Sequence, residues 1–412
     1  MKKFGLLGQK LGHSYSPRIH AMLYDEPYEL YEVPEGNLAR FLQTTDLAGM
    51  NVTIPYKKAV MPFCTELSDA ARRVGSVNTL VRRGGGWYGD NTDHDGFLYM
   101  VRSSGADLRG KKTVVLGSGG ASLAVRAVLE DLGAGEITVI SRSGEDNYTN
   151  LERHARAAVV VNATPVGMYP NNGAAAVDLA AFPDCEAVFD LIYNPSRTAL
   201  LLQAEERGLT FENGLGMLVA QARRSAELFT GRRFDDARVE EVTAALRRET
   251  ENIILIGMPG SGKSRVGRAL AKQLGRPFFD ADQEIIRAAS LPIPEIFRRE
   301  GEAGFRKRET EVLSKLGRMT GAVIATGGGC VTRRENYPLL HQNGVIVWLR
   351  RALEKLPETG RPLSQRHGAQ ELYAQRKELY AAFADCTVDN DADIAGAVEK
   401  LEFQWSRLEK IL

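Results

Sequence analysis

The sequence predicts an α/β protein of more than one domain, and three observations lead there. At 412 residues the chain is too long for one ordinary hydrophobic core, and the length points to two or three domains. The apolar run Ile253-Ile254-Leu255-Ile256 leads into Gly257-Met258-Pro259-Gly260-Ser261-Gly262-Lys263-Ser264 and then into residues 266–274, which have helical spacing. This is a buried strand, a glycine-rich turn and a helix start. The same order recurs over residues 111–132, where Val114-Val115-Leu116 runs into a second glycine turn and a second helix.

Composition narrows the class. With 43% hydrophobic and 25% charged residues the chain is globular throughout, without a segment polar enough for disorder. Its 53 basic and 52 acidic residues nearly cancel, so a nucleic-acid or membrane-surface partner has no bulk electrostatic support. Cys64, Cys185, Cys330 and Cys386 lie far apart with no C-x-x-C pair, as expected of reduced cytoplasmic thiols and not of a disulfide frame or a zinc site. The start turns glycine-rich at Gly5 and Gly8, too soon for a signal peptide, and no apolar run approaches the ~18 residues of a membrane span. A cytoplasmic enzyme acting on small molecules is the expectation.

In chain order, residues 4–8 read as a first strand, followed by Gly12-His13-Ser14-Tyr15-Ser16-Pro17. Pro17 marks a helix start, and the two serine hydroxyls before it can hold a small carboxylate. The plainer alternative is that serine there only caps the helix. Residues 49–54 form a short strand stopped by Pro55, with Lys57 just after it. Residues 75–80 and 89–96 each place amides or carboxylates at the end of an apolar or glycine-rich turn. Lys57 with Asn51, Asn78 and Asp93 on one cleft would suit a polyhydroxylated, carbonyl-bearing substrate. Separately, each is ordinary turn chemistry.

The second unit opens with Gly117-Ser118-Gly119-Gly120-Ala121-Ser122, a dinucleotide-type turn with Ser122 where the general fingerprint has its third glycine. The next strand, 136–140, ends in Ser141-Arg142-Ser143. An acid there would serve the ribose hydroxyls of NAD, whereas an arginine suits the 2′-phosphate of NADP. Later parallel strands are predicted within 159–168 and 187–195. A helix from Gly214 can return to the first domain, and a last helix carries Val239, Val242 and Leu246 at i, i+3, i+7. The charged stretch 247–251 ends it and sets a domain boundary.

In the last unit the turn's N–H groups and the positive end of the helix can wrap a polyphosphate, Lys263 can reach its outer phosphates, and Ser264 can hold Mg²⁺. Residues 276–282 read as a short strand, on which alternation puts Asp280 and Asp282 on one side facing the phosphates. One acid can serve Mg²⁺ through water and the other can take an acceptor hydroxyl's proton. The arginine-rich stretch 298–308 reads as a solvated helix face. Gly327-Gly328-Gly329, at a strand end, lets a ligand approach the backbone.

Taken together and in this order, the blocks of residues 1–248 resemble shikimate dehydrogenase, and those of 252–405 resemble shikimate kinase. The resemblance implies an α/β substrate domain over 1–104, completed by helices in 214–248, a Rossmann NADP-binding domain over 105–213, and a P-loop domain like the nucleoside-monophosphate kinases over 249–412. It implies reduction of 3-dehydroshikimate with NADPH and phosphorylation of shikimate with ATP and Mg²⁺. In the first half Ser14 and Ser16 would hold the substrate carboxylate. Thr53, Asn78, Asp93 and Gln221 would hold hydroxyls and the reacting oxygen, with Tyr193 nearby, and Lys57 and Asp93 form the catalytic pair. The cofactor would meet Gly117, Ser118, Gly119, Gly120, Ala121, Ser141, Arg142, Leu191 and Gly214. In the second half Gly257, Gly260, Ser261, Gly262, Lys263 and Ser264 would hold ATP, with Ser264 and Asp280 serving the metal and Asp282 the shikimate hydroxyls. Arg306, Gly328 and Arg376 would bind the carboxylate and ring between Phe297 and Phe305, and Arg361 would be the lid arginine that meets the transferring phosphoryl.

The sequence departs from the family patterns in places. Asp146 stands four residues past Arg142, where a second arginine is common, and this keeps an NAD-linked quinate or shikimate dehydrogenase open as an alternative. Only residues 144–158 separate the Arg142 turn from the next strand, room for one helix and little else, so an edge strand and its helix are expected to be lost. The lid between Arg361 and Arg376 is short, and the arginine expected upstream to contact adenine has no clear counterpart, Lys355 being the nearest. A quinate or shikimate sensor with an inactive domain is a further alternative, against which the retained Lys57, Asp93, Lys263 and Asp282 speak.

Overall fold

The computed structural model describes residues 2–12, 14–356 and 368–408. The chain forms two compact units. One holds Met1–Met168, Ala174–Tyr193 and Leu200–Thr243; the other holds Tyr169–Gly173, Asn194–Ala199 and Ala244–Leu412.

The first unit begins with β1 (Phe4–Gly8), α1 (Ser16–Leu23), β2 (Tyr28–Glu32), α2 (Leu38–Thr44), β3 (Gly49–Val52), β4 (Cys64–Leu67), α3 (Asp69–Val74), β5 (Thr79–Arg83), β6 (Gly86–Asp90) and α4 (Asp93–Ser104). The strands make one sheet in the order β2-β1-β3-β5-β6-β4. β1 runs parallel to β2 and β3, whereas β3, β5 and β6 alternate in direction. Gly84 and Gly85, both at positive φ, turn β5 back into β6, as a two-residue hairpin of right-handed twist requires.

A second sheet follows with β7 (Thr113–Leu116), α5 (Gly120–Asp131), β8 (Ile137–Ile140), β9 (Val159–Asn162), β10 (Ala187–Asp190), α6 (Ala199–Glu206) and β11 (Thr210–Asn213), all parallel in the order β11-β10-β9-β7-β8. Its strands are apolar on both faces: Val115, Val161 and Phe189 join one core and Val114, Val160 and Val188 the other. β8 is the edge, so the expected loss of a strand beyond it is met. The helix for which 144–158 had room is reduced to a 3-10 turn at Leu151–His154. Asn147 and Asn150 explain this: Asn147 Oδ1 accepts from the Thr149 N–H (2.9 Å) and Asn150 Nδ2 donates to the Glu145 carbonyl (2.9 Å), so side chains compete with helical bonding.

From this sheet α7 (Gly214–Thr230) returns to pack on α4, α1 and β5, and α8 (Asp236–Thr250) buries Val239, Val242 and Leu246. α4 and α7 cross closely because Gly96 has no side chain; a Cβ there would stand 2.7 Å from the Met217 carbonyl oxygen and 3.1 Å from Gln221 Cβ.

The second unit contains β12 (Asn252–Ile256), α9 (Lys263–Leu274), β13 (Phe278–Asp280), α10 (Ala281–Ala289), α11 (Ile293–Leu316), β14 (Val323–Ala325), α12 (Asn336–His341), β15 (Gly344–Arg350), α13 (Ala369–Phe383), β16 (Cys386–Asp389) and α14 (Ile394–Leu408). All five strands are parallel, in the order β13-β14-β12-β15-β16, with cores on both faces. One expectation is corrected here. β13 stops at Asp280, whose carboxylate caps α10 by accepting from the Asp282 N–H (3.1 Å) and the Gln283 N–H (3.4 Å). Asp282 therefore sits in the first turn of a helix and not on the strand, because an N-cap carboxylate satisfies otherwise orphaned donors.

Among the described residues no helix is long and apolar enough to cross a membrane, and all four cysteines are free thiols. Substituting Gly96→Ala must push α4 and α7 apart. A loss of about 1–3 kcal/mol is expected, read as a lower urea midpoint with loss of whatever chemistry Asp93 supports.

Candidate active sites

The first site lies where β3, β6 and the start of α4 end. Lys57 Nζ donates to Asp93 Oδ2 at 2.5 Å, and Asn78 Nδ2 donates to Asp93 Oδ1 at 2.9 Å. The pair stays partly open, with side chains 26% and 14% exposed. Asn78 is fixed in turn, since its Oδ1 accepts from the Thr92 N–H at 2.8 Å. Gln221, one turn past Met217 on α7, reaches this group: its Oε1 accepts from Thr92 Oγ1 at 3.4 Å. Ser14 Oγ accepts from the Ser16 N–H at 3.2 Å, and the cap position of α1 is Tyr15, without a side-chain bond. Ser14 Oγ thus takes up one of the free N–H groups at the start of α1, as the capping alternative expects, while Ser16 is the first residue of the helix. Tyr15 also packs on Tyr193, ring centroids 5.6 Å apart, and burial pushes the Tyr193 phenol up. Thr53 is half-buried just after β3.

Asn51 does not join them. It is buried, bonded to the His20 ring (3.0 Å), to Tyr28 Oη (2.9 Å), to Thr79 Oγ1 (3.1 Å) and to Ser225 Oγ (2.7 Å). Its work is to tie α1, β3, β5 and α7 together, and the cleft reading of Asn51 is corrected. Thr92 and Ser225, which hold the same network, carried no sequence signal beyond an ordinary hydroxyl.

The turn after β7 fits a dinucleotide. Gly117 sits at φ +98°, where a Cβ would also stand 2.8 Å from Thr164 Cγ2. Gly119 precedes α5 without any side-chain cap, and a Cβ on Gly119 or Gly120 would meet nothing within 4 Å. Open space therefore lies before a helix N-terminus. Ser118 and Ala121 flank these glycines, and Ser122 Oγ donates back to the Gly119 carbonyl at 2.6 Å, stiffening the turn. Gly214 lies against the Leu191 carbonyl so closely that no Cβ fits. At the end of β8, Ser141 is half-buried and Arg142 is exposed. Asp146 is engaged elsewhere, with Oδ1 2.8 Å from His154 Nε2.

The second site opens around the turn after β12. Gly257, Gly260 and Gly262 all have positive φ, Ser261 Oγ is buried without a partner among the described residues, and Lys263 Nζ donates to the carbonyls of Gly257 (2.8 Å) and Met258 (3.0 Å). Ser264 Oγ donates to Asp280 Oδ2 at 2.5 Å. Among the described residues no three His, Cys, Asp or Glu side chains gather as a metal site. Mg²⁺ commonly keeps waters and takes one or two protein groups plus phosphates, which Ser264 and Asp280 can supply.

Beside the turn is a cavity of ≈ 510 Å³ into which Asp282, Phe297, Phe305, Arg306, Gly328 and Arg376 all face. Phe297 and Phe305 stack at 4.7 Å. The Gly328 carbonyl accepts from Arg376 Nη1 at 3.0 Å and from Tyr380 Oη. Arg306 Nη1 donates to Glu309 Oε2 at 2.7 Å, with side chains 8% and 0% exposed. Burial pushes the Glu309 carboxyl above its ordinary range against the pull of Arg306. The stretch read as a solvated helix face thus turns one arginine inward, and Glu309 was missed although its i+3 spacing from Arg306 was visible. Arg361 lies outside the described residues. Lys355 Nζ is engaged with the Asp391 carbonyl at 2.8 Å.

Fold and sites define the class: a two-sheet nucleotide-dependent oxidoreductase followed by a P-loop phosphotransferase. Three family models match: the shikimate dehydrogenase substrate binding domain over residues 6–80, the shikimate 5'-dehydrogenase C-terminal domain over 214–247, and shikimate kinase over 259–403. The chain belongs to the shikimate dehydrogenase family and carries a shikimate kinase domain after it. The shikimate dehydrogenase (NADP(+)) of Clostridium perfringens strain SM101 is 36% identical over 268 residues, 60% of this chain and 99% of the relative. That of Symbiobacterium thermophilum is 37% identical over 56% of this chain and 89% of its own length. Among solved structures, a chorismate mutase/shikimate 5-dehydrogenase fusion protein from Clostridium acetobutylicum is 37% identical, with TM-score 0.57, over 60% of this chain and 97% of its own. The Thermus thermophilus shikimate 5-dehydrogenase, in complex with NADP(H) and shikimate, is 32% identical, with TM-score 0.54, over 60% and 99%.

Replacing Glu309 by Ala removes the buried partner of Arg306 and leaves its guanidinium only the half-exposed Glu302, 3.3 Å from Nη2. The variant is expected to lose about 3–5 kcal/mol of the second unit's stability, and Glu309→Gln distinctly less, as read from denaturant midpoints.

Proposed function

We propose that this chain catalyses two consecutive steps: reduction of 3-dehydroshikimate to shikimate, and phosphorylation of shikimate to shikimate 3-phosphate. The Lys57–Asp93 pair, in a chain of this family, carries the first half of the reading, and the phosphate loop beside the Asp282–Arg306–Arg376 cavity carries the second. Bound NADPH supplies the hydride, and bound ATP with Mg²⁺ supplies the phosphoryl group.

In the first site Ser14 and Ser16 hold the substrate carboxylate, Thr53, Asn78 and Gln221 orient its hydroxyls, and Tyr193 walls the ring. As the carbonyl oxygen gains negative charge, the Lys57 ammonium stabilises it and gives it a proton, while Asp93 holds the ammonium in place and binds the neighbouring hydroxyl. In the second site Arg306 and Arg376 hold the carboxylate, with Glu309 fixing the angle of Arg306. Asp282 accepts the proton of the attacking hydroxyl, and Lys263 and Arg361 neutralise charge on the transferring group. Three domains support these roles: 1–104 completed by 214–248, 105–213, and 249–412. Four free thiols fit a cytoplasmic setting.

NADPH is the preferred reductant. Arg142 is exposed at the end of β8, where its guanidinium can meet a 2′-phosphate, and the Asp146 carboxylate is turned onto the His154 ring. Arg142→Ala should cut the preference for NADPH over NADH by about 10–100-fold, the worth of a charge-assisted contact to phosphate, measured as the ratio of kcat/KM values.

Two variants test the pair of activities. Lys57→Ala should lower 3-dehydroshikimate reduction by about 10²–10⁴-fold and spare phosphorylation of added shikimate. Lys263→Ala should do the reverse. A variant that keeps its own half-reaction at wild-type rate would refute that site.

A further inference from the structure

Beside the phosphate loop stands a cation to which the roles above give no task. β15 ends at Arg350, and Arg351 follows it. The two arginines go different ways. Arg350 forks onto Asp389, its partner across β16, at 2.7 and 3.0 Å. Arg351 reaches the phosphate loop instead, with Nη1 3.5 Å from the Gly260 carbonyl oxygen, and its Nε is buried without a hydrogen-bond partner among the described residues. A buried guanidinium N–H with no acceptor is costly, so the position calls for one.

The surroundings say which. Arg351 lines the ≈ 510 Å³ cavity and also a second one of ≈ 270 Å³, walled by Trp348, Leu353 and Tyr373. The two acids of that second cavity are occupied, Asp389 by Arg350 and Asp391 by the Ala352 N–H at 2.8 Å. Lys355 is occupied too, on the Asp391 carbonyl. What remains for Arg351 is an anion lying on the phosphate loop and extending past its rim.

We propose that Arg351 is a nucleotide-binding residue whose guanidinium holds the phosphate chain of ATP where it leaves the loop. The inference rests on the ATP-dependent reading of this unit. A planar, permanently charged fork suits phosphate oxygens better than a lysine point charge, and it stands on a strand end instead of on the lid.

The test uses the full chain as wild type, Arg351→Ala, Arg351→Lys and Lys355→Ala, with Arg351→Gln replacing the alanine variant if that is insoluble. Affinity for ATP·Mg is read by displacement of a fluorescent ADP analogue, KM is measured for ATP and for shikimate, and 3-dehydroshikimate reduction serves as a check of folding. Arg351→Ala should weaken ATP by about tenfold or more while the KM for shikimate stays within about twofold. Arg351→Lys should keep part of the affinity, and Lys355→Ala should bind as wild type. Unchanged ATP affinity in Arg351→Ala, an equal loss in Lys355→Ala, or an equal loss of shikimate affinity overturns the proposal. Wild-type protein that binds ATP without phosphorylating shikimate refutes the proposed reaction, while the binding comparison still decides the residue; wild-type protein that binds no ATP refutes both.

Discussion

Bare backbone at the carboxyl ends of parallel strands is the constraint on which both sites rest. In the first unit a Cβ at Gly117 would stand 2.8 Å from Thr164, and one at Gly214 would overlap the Leu191 carbonyl. In the second, a Cβ at Gly257 would stand 2.5 Å from the Leu349 carbonyl oxygen, and one at Gly328 would stand 2.6 Å from the Pro259 ring. Each glycine lets two chain segments meet without a side chain between them. In the second unit parallel strands then deliver the remaining polar groups to the same end of the sheet, whereas in the first unit Lys57, Asn78 and Asp93 come from the mixed sheet of β3, β5 and β6.

The two charged pairs near these turns play different parts, and magnitudes separate them. Lys57–Asp93 remains partly open to solvent, and such a pair adds only about 0–1 kcal/mol to stability. The part we propose for it is the charge it offers a reacting oxygen. Arg306–Glu309 is closed off, where desolvation offsets much of the attraction and removing one partner is far worse than removing both. Geometry is what that pair provides: it holds one guanidinium at a fixed angle to the cavity.

Much of this was legible in the sequence because its signals are local. The glycine turns after β7 and β12 could be read from strand, turn and helix in succession, and the lost edge strand from the shortness of 144–158. What escaped depends on tertiary context. Asp282 was placed on a strand because Asp280 alternates with it, but capping by Asp280 started the helix two residues early. Asn51 looked like a cleft residue, yet four partners from distant segments bury it. Asp146 stands where a second arginine is common, and its carboxylate turns to His154, eight residues on, a pairing the sequence does not announce. Arg306 is singled out in its stretch by the resemblance, but nothing in the sequence marks Glu309 as its buried partner or Arg351 as a neighbour of the phosphate loop.

On the proposed function, one chain reduces a ketone and then phosphorylates the alcohol it has made. Purified full-length protein supplied with 3-dehydroshikimate, NADPH and ATP·Mg, with products resolved by mass, tests this most directly. The predicted result is shikimate 3-phosphate, with free shikimate accumulating when ATP is withheld. Reduction without phosphorylation, phosphorylation of added shikimate without reduction, or neither product would contradict it.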